Sequence, residues 1–352
     1  MSMTAVLLTA PNRFELRTDV EVPRPGPNQA LLRVKSTTIC GTDQKIFAGL
    51  FPGTKYPHIP GHEFAGEIVE VGPGVDELAP GDRVGVEVHV GCGRCARCLE
   101  GLYQLCLNYG RTDKGHAHVG FTVPGGLAEY VAIDTKAVHT LPEQLSWDAG
   151  AFCDNIGIAL YAVERGQLKA GERVVVIGPG AFGGLAVQVA KATGAARVIL
   201  VGTRAERVAR LQGLADAVVV GRDEAAVQQT RLALGGDGGA DLVIEFAGTP
   251  EAARQAIQLA RRGGRVVLAG ATGPGRELSG VDLSTIVRGH LDIYGSLANP
   301  RGISRRGLEL LARGGVDVAP LITHHFPLHA FAEAWATFVE RRDGAIRVML
   351  HA

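Results

Sequence analysis

The sequence predicts an α/β protein: a mostly β first domain followed by a doubly wound parallel-sheet domain. Three observations predict it. Short strand-like runs broken by Pro and Gly clusters fill the first 150 residues. From Asp148 onward, apolar strands alternate with helix-length stretches. The first of those strands runs directly into the glycine pattern Gly178, Gly180, Gly183.

The β character of the first domain rests on Ala30 to Val34, Ala65 to Val71 and Arg83 to Val88. Pro23 to Pro27 and Val71 to Gly74 interrupt it. In the second part, Arg173 to Ile177 reads as a buried strand, with a helix through Val187 to Ala192. Arg197 to Val201 is the next strand, followed by a helix over Glu206 to Leu214. Asp241 to Phe246, Arg265 to Leu268 and Leu291 to Tyr294 continue the series, which implies a parallel sheet with helices on both faces. The tail predicts an amphipathic helix over Ala330 to Glu340 and a strand over Ala345 to Leu350.

Composition excludes several classes. The chain has 352 residues, 46% hydrophobic and 20% charged, long enough for two ordinary domains. Its 36 basic and 36 acidic side chains give a net charge of +0. That leaves no basic excess for a nucleic-acid backbone or an anionic membrane. The first ten residues are apolar but carry no basic leader, and no apolar stretch is long enough to span a membrane. The expectation is a soluble cytoplasmic protein.

The glycine pattern predicts a dinucleotide site. The first glycine permits the tight turn, the second lets a pyrophosphate approach the backbone, and the third lets helix and strand pack closely. The helix N-terminus then attracts the phosphates. An NAD enzyme usually carries an acid at the end of the second strand, where this chain has Gly202-Thr203-Arg204, with Arg207 following. Glycine leaves room for a 2′-phosphate and the arginines suit it, so NADP is favoured. The alternative is NAD held through Thr203 or Glu206, with both arginines merely solvated.

Six cysteines occur, four of them at Cys92, Cys95, Cys98 and Cys106. Without an export signal this crowding favours metal over disulfides. Four thiolates in one loop close a tetrahedral zinc shell with no open position, which makes the site structural. An iron–sulfur cluster is the alternative metal group. A zinc-ribbon nucleic-acid module is disfavoured by the zero net charge. Catalytic candidates lie elsewhere, at Cys40 and at His62-Glu63. A catalytic zinc needs three protein ligands and an open position.

Taken in order, Gly61-His62-Glu63 through Gly66 and Gly72, Gly81-Asp82-Arg83-Val84, the four-cysteine lobe, Gly178 to Gly183, Gly295-Ser296 and Arg347 resemble the zinc-containing medium-chain dehydrogenase/reductase superfamily. The likeness runs over essentially the whole chain. It implies a GroES-like catalytic domain over residues 1–154 with the zinc lobe at about 91–107. A Rossmann domain over residues 155–295 and a return to the catalytic domain over 296–352 complete it. It implies two zincs per chain, one catalytic and one structural, and a homodimer or homotetramer assembled through Leu291 to Tyr294.

Carried over by position, the resemblance makes Cys40 and His62 zinc ligands and Glu63 a carboxylate able to exchange onto the metal. The third ligand is Asp154, as in polyol and threonine dehydrogenases, or Cys153, as in alcohol dehydrogenases; the spacing from Asp154 to Gly157 and Tyr161 favours Asp154. Thr42 occupies the position whose hydroxyl starts the proton relay. Three residues further the family has a histidine, and this chain has Lys45, either a base in the relay or a phosphate or solvent contact. Phe182, Ala247, Ala269, Gly270 and Arg347 join Gly178, Gly180, Gly183, Thr203, Arg204 and Arg207 as implied cofactor contacts.

Residues Glu87 to Cys92 are similar to threonine dehydrogenases, with His89 at the matching histidine. The implied substrate is therefore a polar secondary alcohol: a polyol, a cyclitol or an amino alcohol. His116 and His118, in the loop Arg111 to Gly120, are either specificity residues or solvated. Two other classes compete: a catalytically silent nucleotide-binding homologue, and a zinc-ribbon protein with a nucleotide-sensing domain. The intact Cys40, His62 and both zinc motifs argue against the first.

Overall fold

The computed structural model describes residues 1–51, 53–235, 238–273 and 275–352. The chain forms two compact units: Met1–Gly157 with Asn299–Ala312 and Ile322–Ala352, and Ile158–Ala298 with Arg313–Leu321. The α/β class expected from the sequence is the class observed.

The first unit opens with β1 (Ser2–Ala10) and β2 (Arg13–Glu21), an antiparallel hairpin that the sequence did not announce. There follow β3 (Gln29–Ile39), β4 (Phe64–Val71), β5 (Arg83–Val86), β6 (His89–Val90), β7 (Ala117–His118), β8 (Tyr130–Asp134) and β9 (Val138–Thr140). β3 is the organising strand. Leu32 and Val34 are buried while Arg33 points to solvent, the alternation of a half-buried strand. Leu32, Val34, Phe64, Ile68, Val84, Val86, Val131 and Ile133 build the core beneath it.

In the second unit, β10 (Arg173–Ile177), β11 (Arg197–Gly202), β12 (Ala217–Val220), β13 (Ala240–Glu245), β14 (Ala260–Leu268) and β15 (Asp292–Gly295) form one parallel sheet. Its order is β12-β11-β10-β13-β14-β15. Every residue from Val174 to Ile177 is buried, so both faces of the sheet are covered. The strand order reverses direction between β10 and β13, the switch point where such sheets bind ligands. The helix after β11 runs Ala205–Leu211, shorter than the sequence suggests. No helix among the described residues is long and apolar enough to cross a membrane.

The chain returns to the first unit through β16 (Ile322–Pro327) and β17 (Arg347–His351). β17 pairs antiparallel with β3, Val348 opposite Ile39, giving the order β16-β17-β3-β4-β5-β9. Val348, Met349 and Leu350 are all fully buried. The pairing puts Arg347 against the start of β4: its Nη1 lies 2.8 Å from Glu63 Oε2 and donates to the Ile39 carbonyl at 3.2 Å. Both charged side chains are buried, with relative exposures of 3% and 1%.

Removing one partner of such a pair strands a buried charge. Arg347→Met is expected to cost about 3–5 kcal/mol of unfolding free energy, and Arg347→Met with Glu63→Gln less than the sum of the single changes. Urea denaturation of the single and double variants checks both outcomes.

Candidate active site

Local structure places the first site residue. β3 ends at Ile39, and Cys40 becomes the N-cap of the helix Gly41–Phe47. The Asp43 carboxylate accepts the Cys40 N–H at 2.8 Å, closing a capping box. The other Asp43 oxygen, Oδ1, lies 3.1 Å from His62 Nδ1. Asp43 thus anchors the cysteine backbone and orients the imidazole, leaving Nε2 as the free ligand nitrogen. Sequence reasoning passes over Asp43; the signal it carried was its place three residues after an N-cap.

Cys40, His62 and Glu63 are all buried, and their ligand atoms lie within 4.8 Å of one another. Burial works against charge on His62, and the adjacent Asp43 carboxylate overrides it, so its pKa stands well above the usual imidazole value. A cation held there would have to displace that proton. Burial likewise opposes ionisation of Glu63. The Arg347 guanidinium, His62 and hydrogen bonds from Thr38 Oγ1 and Asn155 Nδ2 outweigh it and hold the carboxyl below its usual range. Thr38 and Asn155, both fully buried, are further positioning residues that the sequence did not single out.

Asp154 lies in the first turn of the helix Cys153–Arg165. Its Oδ1 accepts from the Val88 N–H at 3.1 Å, and it stands outside the Cys40-His62-Glu63 triplet. Burial lifts its pKa to about 7, opposed in part by the Val88 N–H. Cys153 is fully buried, and burial pushes its thiol well above the ordinary value, which keeps it neutral. Thr42 Oγ1 lies 3.8 Å from Cys40 Sγ. Lys45 is half-buried on the same helix, one turn further on and on the same face as Thr42. Arg347, expected at the cofactor, is engaged with Glu63.

A wall of rings extends from His62. Phe121 lies 4.8 Å from His62 between ring centroids, His118 stacks on Phe121 at 3.7 Å, and His89 stacks on His118 at 4.4 Å. Tyr109 Oη is 2.8 Å from His118 Nδ1. His89, His116 and His118 are all buried, so the loop histidines are not solvated. Burial lowers all three, His89 to about 3 and His116 to about 4, which makes them neutral at physiological pH.

The four-cysteine lobe forms a compact cage. Cys92 and Cys98 sulfurs are 3.9 Å apart, as are those of Cys95 and Cys106. Zinc bound tetrahedrally at its usual bond length to sulfur needs its ligands about 3.8 Å apart, so the cage fits the ion. Leu107 N–H, Asn108 N–H and Asn108 Nδ2 donate to Cys95, Cys106 and Cys92 at 3.3–3.4 Å. These bonds favour thiolates.

At the dinucleotide motif, Gly178 has φ +116, and Gly180 caps the helix Ala181–Ala192 without a side-chain partner for its first N–H groups. A Cβ at Gly183 would overlap the Gly178 carbonyl oxygen, so the third glycine is needed for close packing. Phe182 stacks on Phe246 at 5.8 Å. Glu245 binds the Gly248 N–H at 2.6 Å, and its carbonyl accepts from Ala269 and Gly270 at 2.9 and 2.8 Å. These bonds bring Ala247, Ala269 and Gly270 to the switch point. Gly202 has a second reason to be glycine: a Cβ there would overlap the Pro179 ring. Thr203 and Arg204 are exposed and Arg207 is half-buried.

Comparison with known proteins agrees with this geometry. Residues 26–143 match the alcohol dehydrogenase GroES-like domain family, and residues 181–313 the zinc-binding dehydrogenase family. L-threonine 3-dehydrogenase of Pyrococcus furiosus is 33% identical, covering 99% of each chain. Sorbitol dehydrogenase of Bacillus subtilis is 29% identical, covering 99% of this chain and 97% of its own. A Sinorhizobium meliloti protein solved with NADP is 31% identical, with a TM-score of 0.88 and both chains covered fully. A buried Cys-His-Glu cluster, a four-thiol cage and a glycine cradle on a parallel sheet, in this order along the chain, identify it as a member of the zinc-containing medium-chain dehydrogenase/reductase superfamily, a zinc-dependent alcohol dehydrogenase that works with a nicotinamide dinucleotide.

Proposed function

We propose that this enzyme oxidises a hydroxyl-rich secondary alcohol, a polyol or cyclitol, to a ketone. The convergence of buried Cys40, His62 and Glu63 carries the catalytic part of this reading. The ring wall supports the substrate class. Neutral His89 and His118 with Tyr109 offer hydrogen-bonding edges without charge, which suits hydroxyl groups better than a carboxylate. An amino alcohol is the second reading, favoured by the likeness to L-threonine 3-dehydrogenase over 99% of the chain. A panel of polyols, cyclitols and L-threonine separates them: higher kcat/KM for threonine than for any polyol or cyclitol overturns the first reading.

When bound, the zinc supplies positive charge that polarises the alcohol oxygen, and the nicotinamide accepts the hydride. Cys40 and His62 are its proposed ligands, with Asp154 third and Glu63 as the exchanging carboxylate. Cys92, Cys95, Cys98 and Cys106 hold a second, structural zinc. Asp43 keeps His62 Nε2 available, and Arg347, Thr38 and Asn155 keep Glu63 ionised. Thr42 takes the substrate hydroxyl proton, and Lys45 passes it outward. The exposed apolar side chains Leu283, Val287, Ile293 and Leu297 lie on and near the edge strand β15 and support assembly of copies there.

Arg204 and Arg207 support NADP preference. Gly202 supports it less than the sequence alone suggests, because Pro179 also requires glycine there. Hydrogen bonds to a charged group contribute about 1.5–3 kcal/mol. Arg204→Ala and Arg207→Ala should each lower kcat/KM with NADP by roughly tenfold or more and leave NAD nearly unchanged. A wild-type preference for NAD overturns the proposal.

Asp154→Ala should weaken catalytic-zinc retention more than about tenfold, while Cys153→Ala keeps the metal; metal analysis after chelator dialysis reads both. Because the Asp154 pKa is raised to about 7, protons compete with metal below that pH. Zinc loss to chelator should therefore accelerate as pH falls from about 8 to about 6. Lys45→Ala should remove one ionisation from the pH profile of kcat; an unchanged profile assigns Lys45 to a solvent or phosphate contact.

A further inference from the structure

A second cluster of metal-ligating side chains lies on the surface of the first unit, away from the residues assigned above. Strands β16 and β17 and the helix Trp147–Gly150 supply its side chains, beside the adjacent strand β3. His351 of β17 is paired directly opposite Ser36 of β3. His325 of β16 is paired with Met349, two residues before His351 and on the same face of β17. The two imidazoles are therefore diagonal neighbours, and their rings lie parallel within 8° at 5.4 Å. Asp148 comes from the helix Trp147–Gly150, whose N-cap is Ser146.

The carboxylate of Asp148 faces both histidines. Oδ1 accepts from Ser36 Oγ at 2.5 Å and lies 2.9 Å from His351 Nε2, while Oδ2 lies 3.8 Å from His325 Nδ1. One ligand atom from each of the three residues falls within 4.8 Å of the other two. Nitrogen and oxygen ligands around a tetrahedral zinc stand about 3.4 Å apart. Each imidazole lies within about 0.5 Å of that spacing from one carboxylate oxygen, 2.9 Å for His351 to Oδ1 and 3.8 Å for His325 to Oδ2, so a small rotation of these partly exposed side chains closes the site. His325, His351 and Asp148 side chains are 52%, 42% and 27% exposed, which leaves an entry path and room for water as a fourth ligand.

We propose that Asp148, His325 and His351 form a further binding site for a divalent transition-metal ion, served by two imidazoles and one carboxylate. The donor set selects the metal class: imidazole favours zinc, copper or nickel, whereas magnesium and calcium require oxygen ligands. The consequence is mechanical. The ion ties β16 and β17 to the helix Trp147–Gly150, and Ser36 extends the link to β3. β17 begins with Arg347, the partner of Glu63, and residue 150 is followed within a few residues by Asp154 and Asn155. A metal bound only by the folded chain stabilises it, without touching the catalytic ligands.

The test uses the enzyme dialysed in metal-free buffer until its metal content is constant. Calorimetric titration with Zn2+ should show one further equivalent per chain, accompanied by a higher melting temperature, and titration with Mg2+ should show neither. His325→Ala with His351→Ala should weaken this added zinc by more than about tenfold and abolish the melting shift, with resident metal content unchanged. His325→Ala alone, at a half-exposed side chain, should weaken it in the same direction and guards against misfolding of the double variant. No further equivalent, a further equivalent of unchanged affinity in both variants, or an equal response to Mg2+ overturns the proposal.

Discussion

A carboxylate with 1% exposure has lost nearly all of its hydration, and Glu63 is such a group. Its charge persists because Arg347, Thr38 and Asn155 replace the water. These partners come from the last strand, from β3 and from the start of the helix Cys153–Arg165. The requirement to compensate one buried charge therefore ties together segments separated by almost the whole chain. The C-terminal return, held to β3 by the buried Val348, Met349 and Leu350, is what delivers the guanidinium to Glu63. The site chemistry inherits this rigidity, since Glu63 follows directly on His62 and shares its surroundings.

Burial acts on the neighbouring groups in different senses, and their partners decide the outcome. His62 is held towards its charged form by Asp43. Asp154, held by the Val88 N–H, is pushed towards its neutral form by burial. His89, His116 and His118 are kept neutral by burial. Cations are favoured where ligands can be deprotonated at modest cost, and the four-thiol lobe answers the same problem with N–H donors to sulfur. In the first unit, charge is thus retained at His62 and Glu63, where a counter-charge or a fixed dipole stands beside it, and lost where burial acts unopposed.

The second unit solves a different problem, the approach of a backbone to a phosphate. Gly183 is required by the Gly178 carbonyl, Gly202 by the Pro179 ring and Gly270 by the Gly248 backbone. Only Gly178 among the three glycines of the motif needs positive φ. Within the motif Gly183 is thus a packing requirement and Gly178 a conformational one, and the glycine at the end of β11 has a steric origin in the Pro179 ring.

The alternation of apolar strands and helices, the glycine motif and the cysteine spacing are local patterns, and they determined the fold class, the dinucleotide cradle and the four-thiol cage. Cys40 was legible in the short run Ile39 to Asp43, and His62 and Glu63 in one shared motif, Gly61 to Gly66. Tertiary structure decided the rest. Asp43, Thr38 and Asn155 carry no motif that distinguishes them from ordinary polar residues; only the fold brings them to His62 and Glu63. The same holds for Arg347, expected beside a cofactor and found paired with Glu63, and for the loop histidines, which could be read as solvated until burial showed otherwise. The N-terminal hairpin escaped the sequence reading because its second strand is largely exposed and lacks a clear apolar face. Local pattern determines what a segment becomes, and long-range packing determines which charge it meets.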